Sequence, residues 1–220
     1  MLDNLCQLIP KELLNESGSI LYSGKDAFTS NAELYILGLN PGGDPKELNS
    51  NTIAAHTKSI LETKPTNWSE YRDEIWEGKL AGKWGMQPRV LHLLSKLGLD
   101  PGKVPSSNLI FVRSRRESTL TQNKTQLAKL CWPFHEAVIN EIKPKVILCF
   151  GQTVGKFVKT KLAANTLLGE FVEQNNRKWT SRAFSNDYGV TVVIATHPSI
   201  ADWKNPKTDP SHLLEMGLMQ

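Results

Sequence analysis

The chain has 220 residues, 40% of them hydrophobic and 22% charged, with 26 Lys+Arg against 22 Asp+Glu and a formal net charge of +4. That length suits one substantial α/β core, and the composition excludes the disordered and fibrous classes. The small basic excess permits a polyanionic partner without requiring one.

Leu34-Tyr35-Ile36-Leu37 predicts a first strand, which releases a loop of sequence Gly38-Leu39-Asn40-Pro41-Gly42. A helix-permissive stretch runs from Asp44 to about Thr63, followed by a tryptophan-rich one from Trp68 to Trp84. Val90, Leu91, Leu93, Leu94 and Leu97 form one helical face, with Pro88 suited to its start and Gly98 to its stop. Leu109-Ile110-Phe111-Val112 predicts a second strand. A helical region follows from Lys124 to Ile142, in which Pro133 is expected to break or kink the helix before Lys143-Pro144-Lys145 ends it. Val146 to Phe150 predicts a third strand and Gln152 to Lys161 a helix. Gly169 to Ser185 alternates weakly around Asn175-Asn176, as a hairpin appended to the main sheet would. Val190 to Ala195 is the last strand, delivering His197-Pro198-Ser199, and Ser211 to Met219 reads as a short capping helix.

This order predicts a three-layer α/β/α fold around a central, mainly parallel four-stranded sheet, in a single domain spanning residues 1–220. Parallel strands release their loops at one carboxyl edge, so the Asn40 amide and the His197 imidazole are expected to face one pocket. Each segment alone is also an ordinary turn or strand-end sequence; their joint occurrence carries the inference.

No window approaches the roughly 18 consecutive apolar residues of a membrane helix, and no basic-then-apolar leader opens the chain. Cys6, Cys131 and Cys149 have no metal-type spacing, and Cys149 sits in an apolar run as a small buried thiol would. An intracellular location (cytoplasm, nucleoid or nucleus) is expected, with no membrane association and a monomeric state. Gly38, Gly42 and Gly43 do not make a dinucleotide-binding spacing. Gly151 to Lys156 lacks the hydroxyl residue of a phosphate loop, since Phe157 stands there. No metal-ligand cluster or Gly-x-Ser-x-Gly elbow is present. Trp68, Trp76 and Trp84 read mainly as packing residues, with either Tyr71 or Trp84 available to stack on a ligand ring. Arg113, Arg115 and Arg116 crowd together as a solvated loop or a phosphate-facing one.

The Gly38–Gly42 loop, the His197-Pro198-Ser199 segment and the run from Ile142 to Gly151 between them resemble the uracil-DNA glycosylase superfamily, in order, over roughly residues 30 to 205. The first motif is most similar to the branch holding the single-strand-selective and mismatch-specific uracil glycosylases. The resemblance implies a base-excision-repair hydrolase that cleaves the N-glycosidic bond of uracil or a related damaged base flipped from single- or double-stranded DNA, without metal or cofactor. It implies that Asn40 positions the attacking water and that His197 donates to the base carbonyl that gathers charge. An amide orients water but cannot deprotonate it, and either a neutral or a charged imidazole can donate. By order, Asn108 matches the base-reading Asn, at the start of the second strand. A shift of a few residues would bring Arg113 or Ser114 to the pocket instead. Gly38, Leu39, Pro41 and Gly42 complete the implied base-binding set. Ser199, Ile200, Trp203, Arg113, Arg115 and Arg116 form the implied DNA-binding set, with Ile200 or Trp203 as an apolar wedge. The family's second proline after Ser199 is absent here, where Ile200-Ala201-Asp202-Trp203 follows. The alternatives are a DNA-binding or regulatory protein of the same fold with weak or lost catalysis, and an α/β enzyme acting on small nucleotides or nucleosides.

Overall fold

The computed structural model describes residues 1–29, 32–120 and 123–219. Its strands are β1 (Leu34–Gly38), β2 (Ser106–Asn108), β3 (Val146–Phe150), β4 (Thr166–Val172), β5 (Thr180–Ser185) and β6 (Thr191–Ala195). Its helices are α1 (Leu2–Leu5), α2 (Ile53–Glu62), α3 (Glu70–Asp73), α4 (Gln87–Lys96), α5 (Lys124–Ile142), α6 (Gln152–Lys161) and α7 (Ser211–Leu218). The strands form one mixed sheet in the order β2-β1-β3-β6-β5-β4. The first four in that order run parallel, and β5 and β4 add antiparallel neighbours.

Every residue of β1, β3 and β6 is buried, as continuous apolar runs with both faces covered require. Alternation along the strands divides the core. Tyr35, Leu37, Ile147, Cys149, Val192 and Ile194 pack with Ile53 and Ile60 of α2, Val138 of α5 and Val154 of α6. Leu34, Ile36, Val146, Leu148 and Val193 pack on the other side with Val90 and Leu93 of α4 and Leu213 of α7.

Three expectations need correction. The sheet has six strands rather than four, because the 169–185 hairpin joins it: β5 pairs with β6 in register Arg182↔Ile194 through Ser185↔Thr191. The second strand is Ser106–Asn108, not 109–112. Leu109, Ile110 and Phe111 are buried, but their chain has passed the end of the ladder. Leu109 N donates to Gly38 O at 2.9 Å, Ile110 N donates to Leu39 O at 2.8 Å, and Phe111 O accepts from Ser19 N at 3.1 Å. The apolar run reports burial under the amino-terminal segment rather than strand pairing. Asn108 consequently lies at the end of β2, on the carboxyl edge, and not at its start. Finally, α5 runs unbroken through Pro133. Cys131, Trp132, Phe134 and His135 on either side are buried and pin both halves, while Pro133 itself is exposed, where water can satisfy the Lys129 carbonyl.

An exposed proline inside a helix costs helix stability. Pro133→Ala is expected to stabilise the fold by about 1–3 kcal/mol, measured as a rise in the midpoint of denaturant unfolding.

Candidate functional site

The parallel strands end along one edge, where a cleft of about 1510 Å³ opens. Gly38 at the end of β1, Leu39, Asn40 and Gly42 just after it, Asn108 at the end of β2, Phe150 at the end of β3 and His197 after β6 all line it. The amide and the imidazole from the two ends of the chain do share one cavity. Pro41 does not line it; it is buried, and its carbonyl accepts from Asn40 Nδ2 at 2.9 Å and from Ser114 N at 3.0 Å.

Asn40 is held by its nitrogen. Nδ2 donates to Pro41 O, to Ser114 Oγ at 2.9 Å and, more weakly, to Val112 O at 3.4 Å. Two of these acceptors are carbonyls, which cannot donate, so the amide orientation is determined and Oδ1 is the atom left to accept from a water. Ser114 Oγ passes the constraint on by donating to Arg116 O at 3.0 Å.

His197 is fixed in the complementary sense. Its Nδ1 accepts from Ser199 N at 3.1 Å, which places the proton of a neutral imidazole on Nε2. Burial drives its pKa down to about 4, against the opposing field of Glu117, so the ring is neutral at pH 7. Ile200 N and Ala201 N both donate to His197 O, closing the loop. Phe150 meets the His197 ring at 5.7 Å and 71°, and Trp203 meets Phe150 at 5.4 Å and 75°.

Asn108 is 5% exposed, and its buried Nδ2 has no partner among the described residues. It lies beside the Tyr22 hydroxyl, which is buried near Glu70, but no hydrogen bond of normal geometry closes on Nδ2. Its Oδ1 packs over Gly38 so closely that a Cβ there would approach it to 2.3 Å. Glycine is required at 38 for that contact. In the loop itself the left-handed residue is Gly43, at φ +101°, while a Cβ on Gly42 would meet nothing within 4 Å.

The remaining expected residues divide. Arg113 turns inward: its Nη1 donates to Gly42 O and its buried Nε has no partner among the described residues. Arg113 and Ser114 line the cleft together with Asn108, so the two alternatives for the base reader share one cavity. Arg115 pairs with Asp44 at 3.0 Å and Glu47 at 3.4 Å, tying its loop to the segment after β1. Arg116, Ser199 and Ile200 stand on the cleft, Ile200 being 51% exposed. Trp203 is wholly buried, with its Nε1 donating to Thr196 O at 3.1 Å, so it braces the His197 loop from behind and is not a wedge. Asp202 is drawn aside by Arg89 at 3.5 Å.

Sequence reasoning missed several cleft residues. Tyr22 arrives from an amino-terminal segment without strand or helix periodicity. Lys178 and Trp179 arrive from the turn of the β4–β5 hairpin. Tyr22, Tyr71 and Phe150 form a connected wall, with centroids 6.0 and 6.4 Å apart. Tyr71 is 2% exposed and backs that wall, whereas Trp84 stands 40% exposed on the cleft. Glu70 is the least expected. It lines the cleft, accepts from Trp76 Nε1 at 2.6 Å, and is raised to about 7 by burial, with Glu74 adding to the rise and Trp76, Lys64 and Arg113 opposing it. Glu117 differs: Lys124 and Thr153 donate to it at 2.7 and 2.6 Å and hold it below the usual carboxylate range. No group of His, Cys, Asp or Glu among the described residues is arranged to hold a metal ion, and no described helix is long and apolar enough to cross a membrane. No protein-family model matches the chain, and no curated protein matches it significantly.

The raised Glu70 has a definite sign for stability. Its folded form holds a proton that the unfolded chain releases near the ordinary carboxylate value, so its contribution is present at low pH and lost as pH rises through about 7. Glu70→Gln keeps the acceptor for Trp76 without the charge. Its melting temperature is expected to exceed that of the native chain above about pH 8 and to converge with it near about pH 4. Parallel melting curves at every pH would contradict the buried, proton-holding carboxyl.

Proposed function

We propose that this protein is a DNA glycosylase of the three-layer α/β/α type, hydrolysing the N-glycosidic bond of uracil or a related base extruded from DNA into the cleft. The observation that carries the reading is the orphaned, buried donor of Asn108 in the same cavity as an acceptor on Asn40 and a donor on His197. An unpaired buried N–H is costly unless a ligand supplies an acceptor. The 4-carbonyl of uracil supplies one; the 4-amino group of cytosine presents another donor and is rejected.

The chemistry follows from those atoms. As the C1′–N1 bond breaks, its electron pair stays on the base and positive charge spreads over the sugar. The His197 Nε2 proton is offered to the base carbonyl that collects the negative charge, in a site where burial strengthens a fixed donor. Asn40 Oδ1 accepts from a water and aims its oxygen at C1′; after C–O bond formation the now acidic oxygen loses its proton to solvent water, and the departed base anion takes up a proton from solvent. Asn40 supplies orientation rather than basicity. Tyr71 and Phe150 provide the apolar wall behind the base.

The test is incubation with uracil-containing single- and double-stranded oligonucleotides followed by cleavage at abasic sites. His197→Ala is expected to lower single-turnover excision by about 100- to 1,000-fold, as loss of one fixed donor to a developing anion does. Arg116→Ala should cost only a few-fold, as removal of one phosphate contact does. Equal losses would mean that the pocket is misassigned. Oligonucleotide binding without abasic product from uracil, xanthine, hypoxanthine or hydroxymethyluracil would replace the enzyme by a DNA-binding protein of the same fold.

Two further outcomes follow from the hydrogen bonds. Asn40→Asp removes the donor and faces a carboxylate towards the Pro41 and Val112 carbonyls. It is therefore expected to destabilise the fold by about 1–3 kcal/mol and to slow excision, measured by thermal melting and single-turnover rates. In a Glu70→Gln background, excision should stay level from about pH 8 to about pH 5, because a buried His197 does not titrate at the ordinary value. A step near 6.5 in that profile would contradict the neutral imidazole.

A further inference from the structure

Glu70 opens α3, and its main chain is tied down on both sides. Its N donates to Tyr22 O at 2.9 Å, and its O accepts from Gln87 Nε2 at 3.0 Å. The wholly buried Gln87 also donates to Glu74 O at 2.8 Å, which fixes the far end of the same turn. In the side chain, Oε1 accepts from Trp76 Nε1, while Oε2 has no hydrogen bond or ion pair among the described residues and the carboxyl lines the cleft. The nearby cations are engaged elsewhere: Lys64 pairs with Glu74 at 2.6 Å, and Arg113 donates to Gly42 O. The other ionisable groups facing it are the buried Tyr22 and Tyr71 hydroxyls. Burial, with Glu74 adding to it, keeps a proton on this carboxyl up to about pH 7. Because Oε1 is already an acceptor for Trp76, that proton belongs to Oε2.

Tyr22 joins this carboxyl to Asn108, since its carbonyl holds Glu70 N and its hydroxyl lies beside the Asn108 amide. Two unspent donors therefore stand at the β2 end of the cleft, with β1 and β3 between them and the strand that delivers His197. We propose that Glu70 is a further catalytic residue, whose carboxylic O–H donates, alongside Asn108 Nδ2, to the 4-carbonyl of the extruded base. A carbonyl oxygen has two lone pairs and accepts both donors. When the C1′–N1 bond breaks, the electron pair left on N1 conjugates through C6=C5 to the 4-oxygen as well as to the 2-oxygen. His197 stabilises one end of that anion and Glu70 the other. A carboxylic acid kept neutral by its surroundings is a strong fixed donor of this kind. No proton changes hands in the step: Glu70 keeps its own, and the departed base is protonated by solvent. Once ionised, Glu70 would set an acceptor against an acceptor and oppose the reaction. The inference rests on the glycosylase reading and adds to it a donor that is lost as pH rises through about 7.

The experiment measures single-turnover excision of uracil from about pH 5.5 to about pH 9 for the native chain and its Glu70→Gln and Glu70→Ala variants. The native rate is expected to fall above about pH 7, in total by roughly 10- to 150-fold, as loss of one hydrogen bond to a charged group does. Glu70→Gln keeps the acceptor for Trp76 and puts an amide N–H in place of the acid O–H, so it should hold the native low-pH rate level across the range. Glu70→Ala should be slow at every pH. Fluorescence anisotropy is read in parallel on labelled oligonucleotides carrying either an uncleavable 2′-fluorinated uridine or an abasic analogue. Native binding to the uridine should weaken above about pH 7; binding to the abasic analogue, which offers no carbonyl, should not. A merely structural role would move the melting temperature and leave the native and Gln excision profiles parallel. Parallel profiles, a native rate level through neutrality, or a Gln variant as slow as the Ala variant would overturn the proposal. Its failure is separable from that of the enzyme reading. Uridine binding that depends on Glu70 and on pH, without excision, leaves the donor in place and removes the glycosylase. Excision with a level native profile does the reverse. A chain that neither binds nor excises the uracil nucleotide removes both.

Discussion

The pairing of β1 with β2, in register Gly38↔Asn108, positions everything else in the site. The two strands end together there, and the backbone bonds do not stop with them: Leu109 N and Ile110 N go on to the carbonyls of Gly38 and Leu39. The loop carrying Asn40 is therefore docked main chain to main chain before any of its side chains act. The Asn40 amide then locks onto Val112 and Ser114 from the segment beyond β2. A side chain at residue 38 would separate the strands where Asn108 crosses over, displacing Asn108 and the Asn40 loop together.

Within that frame, burial sorts the ionisable groups into distinct states. His197 is kept neutral, Glu70 holds its proton to about neutrality, and Glu117 is kept charged by Lys124 and Thr153. The result is a cavity with fixed donors and acceptors in which the Glu70 carboxyl can exchange a proton near neutrality.

Much of the framework is legible in the sequence because it is periodic. The β1, β3 and β6 runs, the Pro88–Gly98 bracket on α4 and the Gln152–Lys161 helix all follow from apolar spacing and terminal residues. The 109–112 run misleads because full burial and strand pairing leave the same apolar trace, and only the hydrogen bonds distinguish them. Pro133 misleads because local propensity yields to the buried residues on both sides of it. Asn40 and His197 are legible because each follows a strong strand. Glu70, Tyr22 and Trp179 are not, because their place on the cleft depends on three segments packing from different directions. Trp203 shows the converse: four residues beyond Ser199 is wedge-like in sequence, but the loop turns it into the core.

The antiparallel strands have a consequence for how the molecule behaves among its own copies. One side of the sheet is closed by the amino-terminal segment, which bridges Leu21 to Ser107 and Gly18 to Val112. On the other side β4 is outermost, and an open strand of this kind is a template for unwanted pairing between molecules. β4 is poorly suited to that role. Its register breaks between Leu167 and Gly169, Glu170 carries charge along it, and Met216 of α7 leans against Gly169. The hairpin that brings an aromatic turn to the cleft thus also gives the sheet an irregular, charged outer edge.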